Sequence, residues 1–224
     1  MKIGIVTIYN VPNYGAILQA YSLAEYLRRE GHEVVLFNVD SPKRHPYIYK
    51  LKRLFKLGFI DKFQQRNYPA ITSNLNEEVD IYMVGSDQVW NIEITQADYD
   101  KYFLAFALHN RKVSYAASFG NNEWDFPSKR NEIRGFLSAF KYITVREEMG
   151  VNILKDEFNM KGNCVLDPCF LLDGNDFLFG KIIESKKILV SYKLSYDRFY
   201  DLELRKLGKM LGCKVNRLRY KYVS

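Results

Sequence analysis

The feature that most constrains the fold is the order of the first three segments. Lys2–Ile8 is rich in Ile and Val, the composition of a parallel strand buried on both faces. Tyr9–Gly15 follows as a loop containing Pro12, Asn13 and Gly15. Ala16–Glu30 then carries apolar residues at 17, 20, 21, 24 and 27, the spacing of one helical face, and Gly31 supplies a stop. Glu33–Asn38 is apolar again and β-branched in part. Strand, helix and strand in that order close as a right-handed parallel unit. The chain is therefore expected to fold as a doubly wound, mainly parallel Rossmann-like α/β sheet.

The pattern repeats downstream. Asp80–Val84 reads as a strand running into the polar loop Gly85–Asn91, and Lys112–Ser118 as a strand ending at Gly120. Pro127–Ala139 reads as a helix, Tyr142–Val145 as a strand, and the residues to about Lys155 as a helix. Asn163–Leu166 is a last short strand before Asp167-Pro168. In open sheets of this kind, ligands bind outside the carboxyl ends of the strands. The expected domains are 1–172, a connector over 173–186, and a second α/β unit over 187–224. That last unit has a strand at Lys187–Tyr192, a helix at Tyr200–Leu211 and a strand at Lys214–Leu218. Roughly 40 residues cannot bury a self-sufficient core. The unit is expected either to pack on the first domain or, the favoured reading, to begin the second half of a longer two-domain protein.

Charge is concentrated in one place. The chain of 224 residues has a formal net charge of +7. Between Ser41 and Tyr68 the basic residues are Lys43, Arg44, Lys50, Lys52, Arg53, Lys56, Lys62 and Arg66, and Asp61 is the one acid, so this stretch alone sums to +7. The rest is balanced, which argues against a general nucleic-acid surface and for one local anionic contact. Tyr47, Leu51, Leu54, Phe55 and Gly58 share one helical face there, with Lys50, Lys52, Arg53 and Lys56 around it. A basic amphipathic helix can lie on an anionic membrane. The same pattern also describes a domain helix with its lysines in solvent. No apolar run approaches the ~20 residues of a membrane span, and the N-terminus lacks the apolar region and cleavage site of a secretory signal. A cytoplasmic protein is expected, with contact at the inner face of the membrane through residues 43–66. Cys164, Cys169 and Cys213 fit no metal spacing and are expected to be reduced and mostly buried; no metal site is expected.

Two loops carry the candidate chemistry. Asn13, Tyr14, Gly15 and Ala16 open the first helix, where free N–H groups favour anions and hydroxyls. Asn13 is equally suited to capping that helix. Neither a G-x-G-x-x-G nor a P-loop pattern is present, so no dinucleotide or P-loop nucleotide cofactor is expected. The second loop, Gly85-Ser86-Asp87-Gln88-Val89-Trp90-Asn91, follows its strand without a break. Gly85 permits close approach, Ser86, Gln88 and Asn91 offer hydrogen bonds, Asp87 is a candidate base, and Trp90 has an aromatic face. Sugars call for that combination. The competing assignment has Asp87 as a cap and Trp90 in the core.

Asn13-Tyr14-Gly15-Ala16 with Gln19 and Ala20, then Val84 to Asn91, then Ala117-Ser118-Phe119-Gly120, Thr144-Val145-Arg146-Glu147 and Val165-Leu166-Asp167-Pro168 together resemble the polysaccharide pyruvyl transferase family. The likeness runs in order from residue 1 to about residue 172. It implies an architecture like the two-domain glycosyltransferases of the B type. It also implies transfer of a pyruvyl group from phosphoenolpyruvate, a donor substrate and not a cofactor, to paired sugar hydroxyls as a cyclic ketal in cell-surface polysaccharide synthesis. A sugar or lipid-linked oligosaccharide is then the expected acceptor. Asp87 is the expected catalytic residue, orienting or deprotonating a hydroxyl. Asn13, Tyr14, Gly15, Gln19, Gly85, Ser86, Gln88, Trp90, Asn91, Ser118 and Arg146 are the expected substrate-binding residues. Arg146, at a strand's carboxyl end, is placed to meet an anion, or else pairs with Glu147 or another carboxylate. Asp167 is expected only to terminate a strand. The rivals are a glycosyltransferase using a nucleotide-sugar donor and a truncated, non-catalytic glycan-binding homologue, since fold does not fix function.

Overall fold

A computed structural model describes residues 1–11, 13–39, 58–107, 111–178, 187–193 and 198–219. They divide into two compact units, Met1–Asp173 and Gly174–Ser224. In the first unit a six-stranded, all-parallel sheet has the order β3-β2-β1-β4-β5-β6. Its strands are β1 (Lys2–Val6), β2 (Glu33–Phe37), β3 (Ala70–Thr72), β4 (Ile81–Val84), β5 (Lys112–Ser114) and β6 (Phe140–Tyr142). This is the Rossmann-like order, and the direction of winding reverses between β1 and β4.

The first helix, α1 (Tyr14–Arg29), starts two residues before the expected Ala16. The reason is the cap: Asn13 Oδ1 accepts from the backbone N–H of Gly15 at 2.8 Å and of Ala16 at 3.4 Å. Ile17, Ala20, Tyr21, Ala24 and Leu27 are all buried, as that spacing requires. Gly4 in the middle of β1 lies directly against the Phe37 ring on β2, so the sheet core closes around a missing side chain.

Elsewhere the chain departs from the pattern. The strand expected over Lys112–Ser118 keeps its ladder only to Ser114, because Ala116 adopts a left-handed backbone (φ 55°). Tyr142–Val145 is split between β6 and a separate strand, β7 (Thr144–Val145). β7 pairs in parallel with β8 (Asn163–Cys164). The helix expected from Pro127 begins with a 3-10 turn and is α-helical over Arg130–Leu137. β3 and the short helical turns over residues 92–102 were not legible: three or four residues carry too little periodicity to register.

The second unit, taken by itself, contains β9 (Ile188–Lys193) and β10 (Lys214–Arg219) in parallel, joined through the helix Arg198–Met210. Leu204 and Gly208 are the buried positions of that helix, and the Arg217 guanidinium pairs with Asp201 at 2.9 Å. Of the basic stretch, residues 58–67 form a helix, Gly58–Asn67. The apolar face expected at Tyr47, Leu51, Leu54 and Phe55 lies outside the described residues. Among the described residues no helix is long and apolar enough to cross a membrane.

Candidate functional site

The tips of the strands beside the reversal point are tied together by polar groups. Thr7, just past β1, donates from its hydroxyl to the carbonyl of Ser86, just past β4, at 2.7 Å. Gln19 on α1 donates from Nε2 to Thr7 Oγ1 and to the carbonyls of Ile8 and Ala16, all within 3.0 Å. Gln19 is buried, so it stitches the first loop to the sheet and offers nothing to a ligand outside.

Beyond the regular ladder, isolated parallel bridges join Asp87 to Ala117 and Ala117 to Val145. These contacts align the extensions of β4, β5 and β7. Asp87 itself has φ 77°, the left-handed region that an Asp tolerates better than most residues. Its carbonyl accepts from Val89 N–H at 2.8 Å and Ser118 N–H at 3.1 Å, and its Oδ1 accepts from Gln88 N–H at 2.8 Å. Such a backbone costs about 1–3 kcal/mol and persists because the surroundings over-determine it.

Four more charged or polar groups meet there. Ser86 Oγ donates to Asp167 Oδ2 at 3.0 Å. One terminal nitrogen of Arg146 donates to the same carboxylate oxygen at 3.3 Å and, at 3.4 Å, to Ser86 Oγ. Arg146 Nε donates to Glu147 at 2.7 Å. The other oxygen of Asp167 accepts from Cys169 N–H at 3.0 Å, capping the 3-10 turn Pro168–Leu171. Burial pushes the Asp87 carboxyl above the ordinary range. The Gln88 N–H and the Arg146 charge oppose that push, and Asp167 and Glu147 add to it. Burial alone would lower the Arg146 pKa, but Glu147, Asp87 and Asp167 together hold the guanidinium firmly charged. Burial, reinforced by the Asp167 charge, pushes the Cys169 thiol up to about 12.

Several expected contacts are corrected by this geometry. Trp90 is completely buried and lies flat on Phe103, ring centroids 5.5 Å apart, with its Nε1–H donating to the Tyr102 carbonyl at 3.2 Å. It is a core residue with no face to lend a sugar. Asn91 caps the turn at Ile92–Thr95, accepting from Glu93 and Ile94 N–H, and donates to the Gln88 side chain. Ser118 is buried and accepts from Gly120 N–H. Gly85 is buried too: a Cβ there would stand 3.0 Å from Thr7 and 3.3 Å from Leu23, so its smallness serves strand–helix packing. Ser86 faces Asp167 and is fully buried. Asn13 serves as the cap. Arg146 is held by two carboxylates, through Nε and one terminal nitrogen. Tyr14 and Gly15 are exposed, and Asp87, Gln88, Arg146 and Glu147 are half-buried. These are the groups left to meet a ligand. The three cysteines are free and half-buried, less covered than expected.

Asp167 is the residue that sequence reasoning undervalued. An Asp before a Pro reads locally as a strand stop, and its partners Ser86 and Arg146 are 81 and 21 residues away. Among the described residues no group of three or more His, Cys, Asp or Glu side chains could hold a metal ion.

A parallel α/β sheet of Rossmann-like order, with a polar cluster at the strand tips beside its reversal point, defines the class: an α/β protein of the doubly wound kind. Residues 13–222 match the family Polysaccharide pyruvyl transferase. The match covers most of the chain, and the chain belongs to that family. No curated relative matches it. Family membership makes it a transferase type of polysaccharide modification, with a sugar acceptor.

Proposed function

We propose that the chain contributes the acceptor side of a pyruvyl transfer from phosphoenolpyruvate to two hydroxyls of one sugar. The observation that carries the reading is Asp87, desolvated and held in a left-handed backbone at the tip of β4 beside Arg146, Glu147 and Asp167. A carboxylate of raised proton affinity is a better base for a hydroxyl than an ordinary one. In the proposed reaction the methylene carbon of phosphoenolpyruvate takes a proton. The first sugar oxygen then bonds to the former enol carbon. The second sugar oxygen bonds to the same carbon as the C–O bond to phosphate breaks. The two hydroxyl protons balance the one gained by the methyl group and the one leaving with phosphate. Asp87 takes the first of them. Gln88, next to Asp87, and the exposed Tyr14 and Gly15 at the start of α1 are the groups proposed to hold the acceptor.

The local charge favours a neutral acceptor over the donor phosphate, since one guanidinium here faces three carboxylates. Donor binding is accordingly proposed for a second half of a glycosyltransferase-B-like architecture, to which the parallel β-α-β unit after Gly174 would belong. Contact of residues 43–66 with anionic membrane belongs to the same proposal; sedimentation with anionic and neutral liposomes tests it, equal pelleting in both counting against it.

The deciding assay incubates the protein with phosphoenolpyruvate and a panel of glycosides. It follows phosphate release together with the mass gain of a pyruvyl ketal on the sugar. Release that depends on the sugar supports the proposal, and its loss in Asp87→Asn ties it to this site. Release of nucleoside diphosphate from a nucleotide-sugar instead identifies a glycosyltransferase. Glycoside binding with no turnover identifies a binding protein.

A further inference from the structure

We infer that Asp167 is a positioning residue: it locks the ends of β4, β7 and β8 into one polar knot and so fixes where the Arg146 charge lies relative to the Asp87 carboxylate. This deepens the reading above, because the placement matters to catalysis only if Asp87 meets a hydroxyl.

Its two carboxylate oxygens have separate tasks. Oδ1 takes the Cys169 N–H at 3.0 Å and sets the turn Pro168–Leu171, in which Pro168 is buried. Oδ2 takes Ser86 Oγ at 3.0 Å and Arg146 at 3.3 Å. Arg146 therefore has a carboxylate on each side: Glu147 on Nε and Asp167 on one terminal nitrogen. A guanidinium gripped twice cannot swing onto a third partner without losing a charge-assisted bond. Asp87 has no hydrogen bond to Arg146 among the described contacts, yet it feels that charge. Among the described residues the charged groups that face Asp87 are Arg146 and Glu147 from the end of β7 and Asp167 from the turn after β8. Asp167 acts on Asp87 in two ways: directly, as a like charge that favours the protonated form, and indirectly, by keeping Arg146 from forming a full ion pair with it. Both raise the proton affinity of Asp87. The second is the positioning role.

Asp167→Asn separates the tasks. Asn keeps an acceptor for Cys169 N–H, and its amide can donate to Ser86 Oγ, so the knot keeps its shape. It presents N–H groups to Arg146, which must let go. The measurement is a carboxyl-carbon NMR titration of protein labelled at Asp, with the Asp87 signal assigned by its absence from Asp87→Asn. It reads proton affinity with no acceptor present, so it stands whether or not transfer activity is found. The expected result is a midpoint for Asp87 at lower pH in Asp167→Asn than in the wild type. The same substitution in an Arg146→Gln background should shift it less, because there is no guanidinium left to release. Equal shifts in both backgrounds would leave Asp167 as a bystander charge and overturn the positioning role. No shift, or a shift to higher pH, would overturn it as well. Ser86→Ala is the second variant: it removes one member of the knot but leaves the Asp167–Arg146 pair, and the midpoint should stay where it is. A fall as large as that of Asp167→Asn would assign the effect to loosened packing and sink the proposal.

Discussion

Truncating Trp90 to Ala tests whether the Gly85–Asn91 loop is read correctly. The indole is fully buried, stacked on Phe103, tilted against Phe119 at 5.1 Å between centroids and edge-on to Phe140 at 6.0 Å. Removing it opens a cavity among rings that cannot collapse independently and takes away the indole N–H that donates to the Tyr102 carbonyl. Substitutions of this kind cost about 3–5 kcal/mol. For a domain of this size each kcal/mol is worth about 2–4 °C in Tm, so the midpoint should fall by about 6–20 °C. Trp90→Phe keeps a ring on Phe103 and loses the N–H, so it should fall less. Thermal unfolding followed by circular dichroism reads both. A Trp90→Ala protein that melts within about 2 °C of the wild type, but no longer binds glycosides that the wild type binds, would refute the packing argument. It would restore Trp90 as a surface platform.

Other outcomes follow from the same geometry. Gly120 has φ +76°, and a Cβ there would stand 2.6 Å from Gln88 Oε1 and 2.8 Å from Asn91 Nδ2; Gly120→Ala should push both side chains aside, lower Tm, and disturb the amide shifts of residues 87–91 more than those of β1. Asp87→Asn should raise stability at neutral pH and leave it nearly unchanged in acid. The sign follows from linkage: a carboxyl whose folded pKa is raised, first by burial, destabilises the fold as pH climbs from the unfolded value through the folded one. Urea midpoints at acid and neutral pH check this, and an equal gain at both would count against it. Asn suits the left-handed backbone as well as Asp does, so the substitution adds no strain. The Cys169 thiol, pushed up to about 12, is about one part in 10⁴ thiolate at pH 8; it should alkylate slowly in the native protein, which mass mapping after brief iodoacetamide treatment would read.

Much of the fold was legible because its signals are local. Ile and Val in Lys2–Val6, the cap at Asn13, the helical spacing through Leu27 and the stop at Gly31 each act within a few residues, and their order leaves one handedness. The break of the strand expected over Lys112–Ser118 was not legible, because the left-handed Ala116 is imposed by neighbours: Thr144 Oγ1 accepts from its N–H, and Ala117 bridges to Val145. Within the Gly85–Asn91 loop, composition marked a place where polar and aromatic residues crowd but not which of them face outward. Trp90 and Asp87 stand three residues apart in one loop, yet Trp90 is fully buried and Asp87 only half-buried.

The sequence by itself determined the sheet class, the family and the strand ends at which polar side chains would gather, since these depend on periodicity, capping and motif order. Only the tertiary structure decided that Trp90 and Gly85 belong to the packing, that Arg146 is held by carboxylates, and that Asp167 is the hub of the cluster. The physical reason is range. Burial and hydrogen bonding join residues up to 81 positions apart, and nothing within a ten-residue window records which distant side chain will arrive to share a proton or exclude water.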